Sequence, residues 1–381
     1  MIKTLQLIER NGTWETLPTA AKADPAKCQL ALVFGSREGI SRQGLYAELR
    51  ARLPKADLVF ASTAGEIIGK QVVDDTITVT GLEFEHTTVR TVITHIRDHA
   101  DSRSCGEALM AMLPDQDLAA VLVFSDGSQI NGSQLTIGLN HANRRRIPIT
   151  GGLAGDAARF EHTFTGLNER IGEGKVVAVG LYGKDVLVGH GSFGGWDEFG
   201  PERVVTSSAA NVLFTVDGRS ALGLYKEYLG AYSEQLPGSA LLFPLSIRLN
   251  GTERKLVRTI LAVDEENDTM TFAGDMPVGA HVRLMKANFD KLIDAAATAA
   301  NDCFMDVLPQ QPEVALLISC VGRKLILQDR VEEEVEAAQN IFGPETCVTG
   351  FYSYGEISPF TPGAGCELHN QTMTITTLSE V

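Results

Sequence analysis

The sequence of 381 residues has little positive charge for its length. Its 33 lysines and arginines are outnumbered by 48 aspartates and glutamates, which gives a formal net charge of −15. Proteins that bind nucleic acids carry basic patches or stripes. The one basic run here is Arg144-Arg145-Arg146, which we interpret as the solvated end of a helix. We therefore expect no nucleic-acid partner.

Paired cysteines and long apolar runs are also absent. The six cysteines are scattered without a CxxC pair, which argues against a zinc finger or a disulfide framework and favours a reducing compartment. No stretch is apolar for long enough to span a bilayer. The first ten residues are interrupted by charge and lack the apolar core of a signal peptide. These features predict a cytoplasmic protein with no membrane partner.

Motifs of the common enzyme classes are missing as well. The sequence has no GxSxG nucleophile elbow, Walker A loop, HExxH zinc motif or EF-hand. Residues 189–194 match the dinucleotide pattern GxGxxG, but residues 197–201 cannot continue the helix that such a site requires. We predict a glycine-rich loop at 189–194, and we find no positive case for an enzyme.

The chain does contain one pattern three times. Residues 58–67, 147–156 and 346–357 each combine an apolar strand with a turn that places an acid after a glycine, and a further strand follows each copy. Each copy is preceded by a helix-like segment and another apolar strand, at 29–34, 120–124 and 314–319. We infer a triplicated strand–helix–strand–turn–strand unit and an α/β fold with mixed sheets. Chance recurrence of these elements in an α/β protein is the alternative.

The character of the sequence changes near residues 215–219. A turn there introduces a helix predicted at 221–229, followed by antiparallel strands predicted at 241–249, 256–263, 270–273 and 281–285. A long amphipathic helix and the third copy of the unit, with a loop predicted at 320–324, complete the chain. We predict two domains, residues 1–217 and 218–381.

The repeated turns are the candidate ligand site. Glu66, Asp156 and Glu356 each follow a glycine at the end of a strand, and open α/β sheets bind ligands outside the carboxyl ends of their strands. A buried carboxylate there favours a ligand ammonium group, whereas the structural alternative is that it accepts hydrogen bonds from nearby backbone amides. The predicted ligand-binding residues are Ser62, Thr63, Gly65, Glu66, Gly152, Gly155, Asp156, Arg323, Phe351, Tyr352, Tyr354, Glu356 and Asn370.

Single histidines are the candidate metal ligands. His369 precedes the last predicted strand, and His190 lies in the glycine-rich segment. A lone histidine is more often a hydrogen-bonded core or turn residue than a ligand. His95 and His99 lie in a strand-like run where side chains four residues apart do not converge, so we expect no metal site there.

The three turns, together with Leu368-His369-Asn370-Gln371-Thr372, resemble the FIST family of bacterial sensory proteins. The resemblance covers nearly the whole chain, with a FIST N region at about 28–217 and a FIST C region at about 218–365. It implies a non-catalytic signal-input module that binds a small ligand and acts on a separate partner. One branch of the family resembles haem-binding nitric-oxide sensors associated with histidine kinases or cyclic-di-GMP enzymes, and this chain is similar to that branch.

That resemblance favours haem b, bound non-covalently, as the ligand. His369 is then the expected axial ligand, His190 is the alternative, and Arg323 and Lys324 are candidates to pair with the propionates. The alternative ligand is an amino acid, with its ammonium on Glu356 or Glu66 and its carboxylate on Arg323. Two other functions stay open: an enzyme of unrecognised type that uses Glu66 and Glu356 as acid and base, and a scaffold that binds only protein.

Overall fold

The computed structural model describes residues 1–236, 238–249, 255–305 and 311–381. These residues form a mixed α/β fold, as predicted, and the triplicated unit is present as a structural repeat. The elements of the first unit are β1 (Lys3–Arg10), β2 (Thr13–Leu17), β3 (Leu30–Gly35), α1 (Arg37–Ile40), α2 (Leu45–Arg52), β4 (Asp57–Ser62), β5 (Glu66–Ile68), β6 (Gln71–Val73) and β7 (Ile77–Glu83).

The second unit repeats this order without an insertion. Its elements are β8 (Thr88–His95), a 3-10 turn (Ile96–Asp98), α3 (Ser102–Ala111), β9 (Leu118–Ser125), α4 (Gly132–Ala142), β10 (Ile149–Leu153), β11 (Thr165–Leu167), β12 (Arg170–Gly172) and β13 (Lys175–Tyr182).

The third unit begins with β14 (Val186–Phe193) and is then interrupted by residues 197–286. The interrupting segment comprises β15 (Asp197–Ala209), β16 (Val212–Val216), β17 (Arg219–Ser220), α5 (Ala221–Leu229), β18 (Leu245–Arg248), β19 (Lys255–Arg258), β20 (Ile260–Asp264), β21 (Thr269–Phe272) and β22 (His281–Lys286), with 3-10 turns at Gly230–Gln235 and Gly238–Leu242. The unit resumes with α6 (Phe289–Asp302), β23 (Val314–Cys320), α7 (Val321–Leu327), a 3-10 turn (Gln328–Arg330), α8 (Val331–Phe342), β24 (Cys347–Ser353), β25 (Gly355–Pro359), β26 (Cys366–His369) and β27 (Met373–Glu380).

Each unit builds the centre of one sheet in the same way. Two parallel strands, β3–β4, β9–β10 or β23–β24, are joined through one or two helices. The closing strand of the unit, β7, β13 or β27, runs antiparallel to the first strand of that pair. The strand that begins the unit, β1, β8 or β14, pairs with the closing strand. The repeat inferred from the sequence is therefore a repeat of strand pairing.

The units are interlocked by an exchange of hairpins. Hairpin β5–β6 of the first unit adds to β24 of the third, hairpin β11–β12 of the second adds to β4 of the first, and hairpin β25–β26 of the third adds to β10 of the second. The exchange is cyclic, so every unit gives one hairpin and receives one. Because the backbone groups of each hairpin are satisfied by a different unit, no unit completes its own sheet.

A single apolar core lies between the three sheets and is built from all three units. At its centre the ring of Phe34 lies 4.8 Å from that of Phe351 and 5.9 Å from that of Phe124. Aromatic contacts of this kind stabilise a core beyond the area that they bury. Helices cover the outer faces of the sheets, with α3 and α4 on the second unit and α6 and α8 on the third. We call residues 1–196 and 287–381 together the three-unit body.

The insertion forms its own antiparallel sheet, in the order β19-β18-β22-β15-β16-β21-β20, with α5 packed against it. We call residues 197–286 the inserted domain. The predicted boundary after residue 217 falls between β16 and β17, which pair with each other, so strands from both sides of that boundary share one sheet. The division of the sequence into 1–217 and 218–381 stays a prediction.

Two predicted loops are regular elements instead. Residues 189–193 belong to β14. Helix α6 lies directly over this strand, so that a Cβ atom at Gly191 would be 2.0 Å from the Ala299 carbonyl oxygen. The glycines therefore do not form a turn. They allow the helix to approach the strand closely. Residues 321–324, the greater part of the second predicted loop, begin helix α7.

The tight packing between parallel strands makes Gly350 a stringent test of the core. A Cβ atom at Gly350 would lie 1.8 Å from the Leu317 carbonyl oxygen, a distance that forces β23 and β24 apart. We expect Gly350→Ala to lower the free energy of unfolding by about 1–3 kcal/mol, measured by urea denaturation. Gly238→Ala is the control, because no atom lies within 4 Å of its Cβ position. Equal stability of the two variants would contradict this packing.

Candidate functional site

The three repeated turns meet at the carboxyl ends of the parallel strands. Each turn donates one backbone hydrogen bond to the strand end of another unit, and the bonds close a ring: Ala64 N–H to the Tyr352 carbonyl at 2.8 Å, Tyr354 N–H to the Leu153 carbonyl at 3.2 Å, and Gly155 N–H to the Ser62 carbonyl at 2.8 Å. We call these six residues the turn ring. The ring brings the three turns to one place, but it fills that place with backbone.

Burial of the predicted ligand-binding residues follows from this ring. Of the thirteen residues, all except Tyr354 are buried. A Cβ atom at Gly155 would lie 2.8 Å from the Ala64 amide nitrogen, so glycine is required where the turns touch. The turns therefore seal the end of the core.

Glu66 and Glu356 occupy equivalent positions and make equivalent contacts. Glu66 accepts hydrogen bonds from the hydroxyl of Thr63 and, at 2.7 Å, from the hydroxyl of Thr76. Glu356 accepts them from Ser353 and Thr372, both at 2.8 Å. In each case the residue just before the closing strand, Thr76 or Thr372, also donates its backbone N–H at 3.3 Å. Both carboxylates therefore tie a turn to the start of a closing strand, as the structural alternative predicted.

Burial changes the acidity of both groups. It raises the pKa of Glu66 to about 7 and the pKa of Glu356 to about 8, although the hydroxyl and amide donors act to lower both values. Neither side chain is more than 1 % exposed. Their contacts suit a fold-stabilising role.

Asp156 is not the third equivalent acid. Strand pairing places Glu66 opposite Phe351 and Glu356 opposite Gly152, and at the same register of the second unit Thr165 lies opposite Ala61. The hydroxyl of Thr165 donates to the Lys175 carbonyl at 2.6 Å, which again ties a turn to its closing strand. The sequence comparison missed this because the second unit has a longer connection between β10 and β11.

Asp156 lies within that longer connection, and two arginines bind it. Its Oδ2 atom accepts from Arg37 at 3.1 Å, and its Oδ1 atom accepts from Arg159. The Asp156 side chain is fully buried, whereas both arginines reach solvent. Both carboxylate oxygens are therefore engaged.

Arg323 is also committed to the protein. Its guanidinium donates to both the Glu334 carboxylate, at 2.7 Å, and the carbonyl oxygens of Gly194 and Leu292, at 2.7 and 2.6 Å. Both side chains of the Arg323–Glu334 pair are fully buried. The hydroxyl of Tyr352 donates to the same Glu334 at 2.7 Å. The predicted carboxylate-binding arginine thus joins α7 to α8, to α6 and to the residue that follows β14.

Asn370 is buried beside another side-chain amide. Neither Asn370 nor Gln371 has a hydrogen-bond partner for its side-chain oxygen or nitrogen within the described residues. Buried amides of this kind are ordinarily satisfied by internal water molecules. Of the predicted residues, Asn370 therefore has unused hydrogen-bonding capacity, at a position closed to solvent.

Open volume lies instead between the three-unit body and the inserted domain. A cleft of ≈ 830 Å³ is lined by α4, the β25–β26 hairpin, β18 and β19. Its walls are apolar at Ile137, Leu256 and Phe360 and charged at Arg258 and Glu367. A second opening, of ≈ 340 Å³, is lined by residues 127–132, Phe160 and Tyr354 on the body and by 272–274 on the inserted domain. We call the larger opening the interdomain cleft.

The comparisons with known proteins identify the family. The FIST N domain profile matches residues 29–219, and the FIST C domain profile matches residues 221–359. The chain belongs to the FIST family. FIST domains are sensory domains of signal transduction. A search of curated proteins found no match.

The two histidines that the sequence predicts as haem ligands of this FIST protein are both buried. His369 is 2 % exposed; its Nε2 atom lies 3.0 Å from the Ser358 carbonyl oxygen and its Nδ1 atom 3.4 Å from the Ser192 hydroxyl. His190 is also buried in β14. Axial ligation needs an imidazole nitrogen that faces a cavity, and neither histidine lines the interdomain cleft. As placed here, His369 and His190 do not fit axial ligation of haem.

Two further features of the FIST protein bear on the sequence predictions. Within the described ranges, no cluster of three or more histidine, cysteine, aspartate or glutamate side chains is arranged to hold a metal ion. In that same part of the chain, none of the helices has the length and apolarity to cross a membrane.

The interdomain cleft was missed by sequence reasoning because its walls come from distant segments. The contact of Asp275 with Asn131 and Gln134, at 2.9 and 2.7 Å, joins positions more than 140 residues apart. No spacing rule applies to such a pair. The available signal was the run of predicted antiparallel strands within residues 215–286, which marked a separate element of the FIST protein but not its contact surface.

The two raised pKa values predict a pH dependence of stability. Each carboxyl group has a pKa of about 7 or 8 in the folded protein and an ordinary pKa near 4.5. At a pH between these two values, the group takes up a proton when the protein folds. The free energy of unfolding should therefore fall as pH rises from about 5 to 8, by at most about 1.4 kcal/mol per pH unit for each group.

Glu356→Gln, which mimics the protonated acid, should make this slope shallower up to about pH 8, and Glu66→Gln up to about pH 7. Urea unfolding at several pH values measures the slope, and Glu336→Gln on the exposed face of α8 is the control. Parallel slopes in all three variants and the parent protein would show that neither glutamate is protonated in the folded state.

Proposed function

We propose that this FIST protein is a sensory module that binds a small organic ligand in the interdomain cleft. The observation that supports it most is the contrast between the two candidate places. The turn ring is filled by backbone and by committed side chains, whereas the cleft has the volume and the mixed apolar and polar lining of small-molecule sites.

The cleft also suits a sensor because its walls belong to two parts of the molecule. Among the described residues, polar contacts that bridge them include those of Asp275 in the inserted domain with Asn131 and Gln134 at the start of α4, and that of Arg258 with the Leu368 carbonyl. A ligand that touches both walls favours one relative position of the body and the inserted domain. A partner protein that contacts both parts reads that position.

For the partner we propose a histidine kinase or a cyclic-di-GMP enzyme in the cytoplasm, as the family resemblance implies. A fused output domain is not needed, because the change in domain position is itself the signal. Copurification of the FIST protein with such an enzyme, and a ligand-dependent change in that enzyme's activity, test this assignment.

Haem with nitric-oxide sensing is the second candidate function. One contact favours it: the ring of His369 stacks on Phe360 at 6.0 Å, and Phe360 lines the interdomain cleft. Haem would have to displace the Ser358 carbonyl from His369. We therefore expect purified protein to stay without a Soret band after haem reconstitution. A Soret band that shifts with nitric oxide and is lost in His369→Ala would replace our proposal.

The other two alternatives use the buried acids. An amino acid held by Glu356 or Glu66 and Arg323 would have to break the hydrogen bonds that each of these residues makes inside the fold. An acid–base enzyme built on Glu66 and Glu356 would need substrate to reach side chains that are at most 1 % exposed. A metabolite turnover screen, repeated with either Glu→Gln variant, tests the enzyme hypothesis.

Blocking the cleft tests the proposed site. Ile137 lies on α4, lines the cleft and is 45 % exposed, so Ile137→Trp fills the cleft without disturbing the core. We expect ligands found in a thermal-shift screen of metabolites to bind this variant at least about tenfold more weakly, a loss of ~1.4 kcal/mol. Calorimetric titration measures the change.

Ile341→Trp is the matched control, because Ile341 is 36 % exposed on α8 and does not line the cleft. It should bind each ligand as the parent protein does. If Ile137→Trp and Ile341→Trp bind the ligands with unchanged affinity, the interdomain cleft is not the input site.

A further inference from the structure

Arg258 is a buried cation in the wall of the interdomain cleft. It lies at the end of β19 and is 5 % exposed. No carboxylate oxygen lies within 4.0 Å of its guanidinium among the described residues. The other deeply buried arginine, Arg323, pairs with Glu334 at 2.7 Å. Arg258 therefore stands out as a buried positive charge that lacks a contacting counter-ion.

Neutral backbone atoms provide its hydrogen bonds. Nη1 donates to the carbonyl oxygens of Val257 and Leu368 at 3.2 and 3.1 Å, and Nε donates to the Asp275 carbonyl at 3.4 Å. Nη2 donates to no group within the described residues. These contacts hold the guanidinium at the boundary between β19 and β26, where it lines the cleft.

An uncompensated buried charge is costly. Burial lowers the pKa of Arg258 to about 10, while the more distant charges of Asp275 and Glu367 act to raise it. An anion in contact with the guanidinium would supply the missing partner, and arginine forms its strongest hydrogen bonds with carboxylates. The neighbouring wall is apolar at Ile247, Leu256 and Leu368.

We propose that Arg258 is the anchor for the carboxylate of a small organic acid whose apolar part lies against β18, β19 and β26. This assignment rests on the proposed function of the interdomain cleft and specifies the class of its ligand. An α-amino acid with an apolar side chain is a member of this class.

Three probe molecules that share one carbon skeleton show how much the charged groups of the ligand contribute to binding. The probes are 4-methylpentanoate, its uncharged amide 4-methylpentanamide, and leucine, each measured by thermal unfolding and calorimetry against equal concentrations of sodium chloride. We expect the two carboxylates, 4-methylpentanoate and leucine, to bind. The amide should bind at least about tenfold more weakly, because hydrogen bonds to charged groups contribute about 1.5–3 kcal/mol. Equal binding of the amide, or no binding by either carboxylate, would overturn the proposal.

Variants of Arg258 test whether this residue binds the carboxylate. Arg258→Met should bind the carboxylates at least about tenfold more weakly, whereas Lys286→Met, which removes an exposed cation of the inserted domain outside the cleft, should change affinity little. If Arg258→Met does not fold, Arg258→Lys provides the comparison, because it keeps the charge and loses the two-pronged contact. Unchanged affinity in the Arg258 variants would contradict the assignment.

The outcomes also separate this inference from the proposed function. A ligand that Ile137→Trp excludes but that binds Arg258→Met normally would keep the cleft as the input site and remove the carboxylate anchor. A carboxylate that binds Ile137→Trp normally would remove the cleft as well.

Discussion

The cyclic exchange of hairpins is the constraint on which the rest of the structure depends. Each unit completes its sheet only with a hairpin from another unit, and each repeated turn donates a backbone hydrogen bond to the strand end of another unit. The three-unit body is therefore one cooperative structure rather than three small domains. Glu66 and Glu356 reinforce it by joining their turns to the closing strands.

This closure decides where a ligand can act. The turn ring closes the core at the ends of its parallel strands, where open α/β sheets ordinarily bind ligands, and it leaves beside Tyr354 the smaller opening of ≈ 340 Å³. The third unit instead carries an inserted domain between β14 and α6, and the interdomain cleft lies where that domain meets α4 and β26. The three-unit body supplies one wall and the inserted domain supplies the other. A sensory input at such a boundary requires no opening of the core.

The sequence predicted local elements well where a unit could be recognised by its own pattern. The apolar run at 314–319 became β23 (Val314–Cys320), and the helix predicted at 221–229 is α5. Predictions from the sequence were wrong where packing between distant segments determines the structure. Gly191 was interpreted as a loop glycine because the sequence does not show that α6 lies on that strand. Asp156 was aligned with Glu66 because a longer connection in the second unit hid the true equivalent, Thr165.

Candidate site residues were harder to predict for the same reason. A turn that contains a glycine and an acid is compatible both with a ligand pocket and with a sealed junction. The burial of the acid, which the sequence does not show, distinguishes the two structures. Arg258 belongs to no motif, and its neighbours in sequence do not show that, within the part of the chain that the structure describes, no carboxylate oxygen lies within 4.0 Å of its guanidinium. Arg323, by contrast, was recognised as chemically capable, but Glu334 on α8 already satisfies it.

Amide hydrogen exchange with and without a bound cleft ligand tests the central claim most directly. The claim is that the turn ring is a sealed structural junction and that input occurs between the body and the inserted domain. It predicts that the amides of Ala64, Gly155 and Tyr354 exchange only through global unfolding, and that ligand slows exchange locally at the start of α4 and around Asp275. Rapid exchange of the ring amides in free protein, with local protection of the ring by ligand, would contradict the account and return the site to the turns.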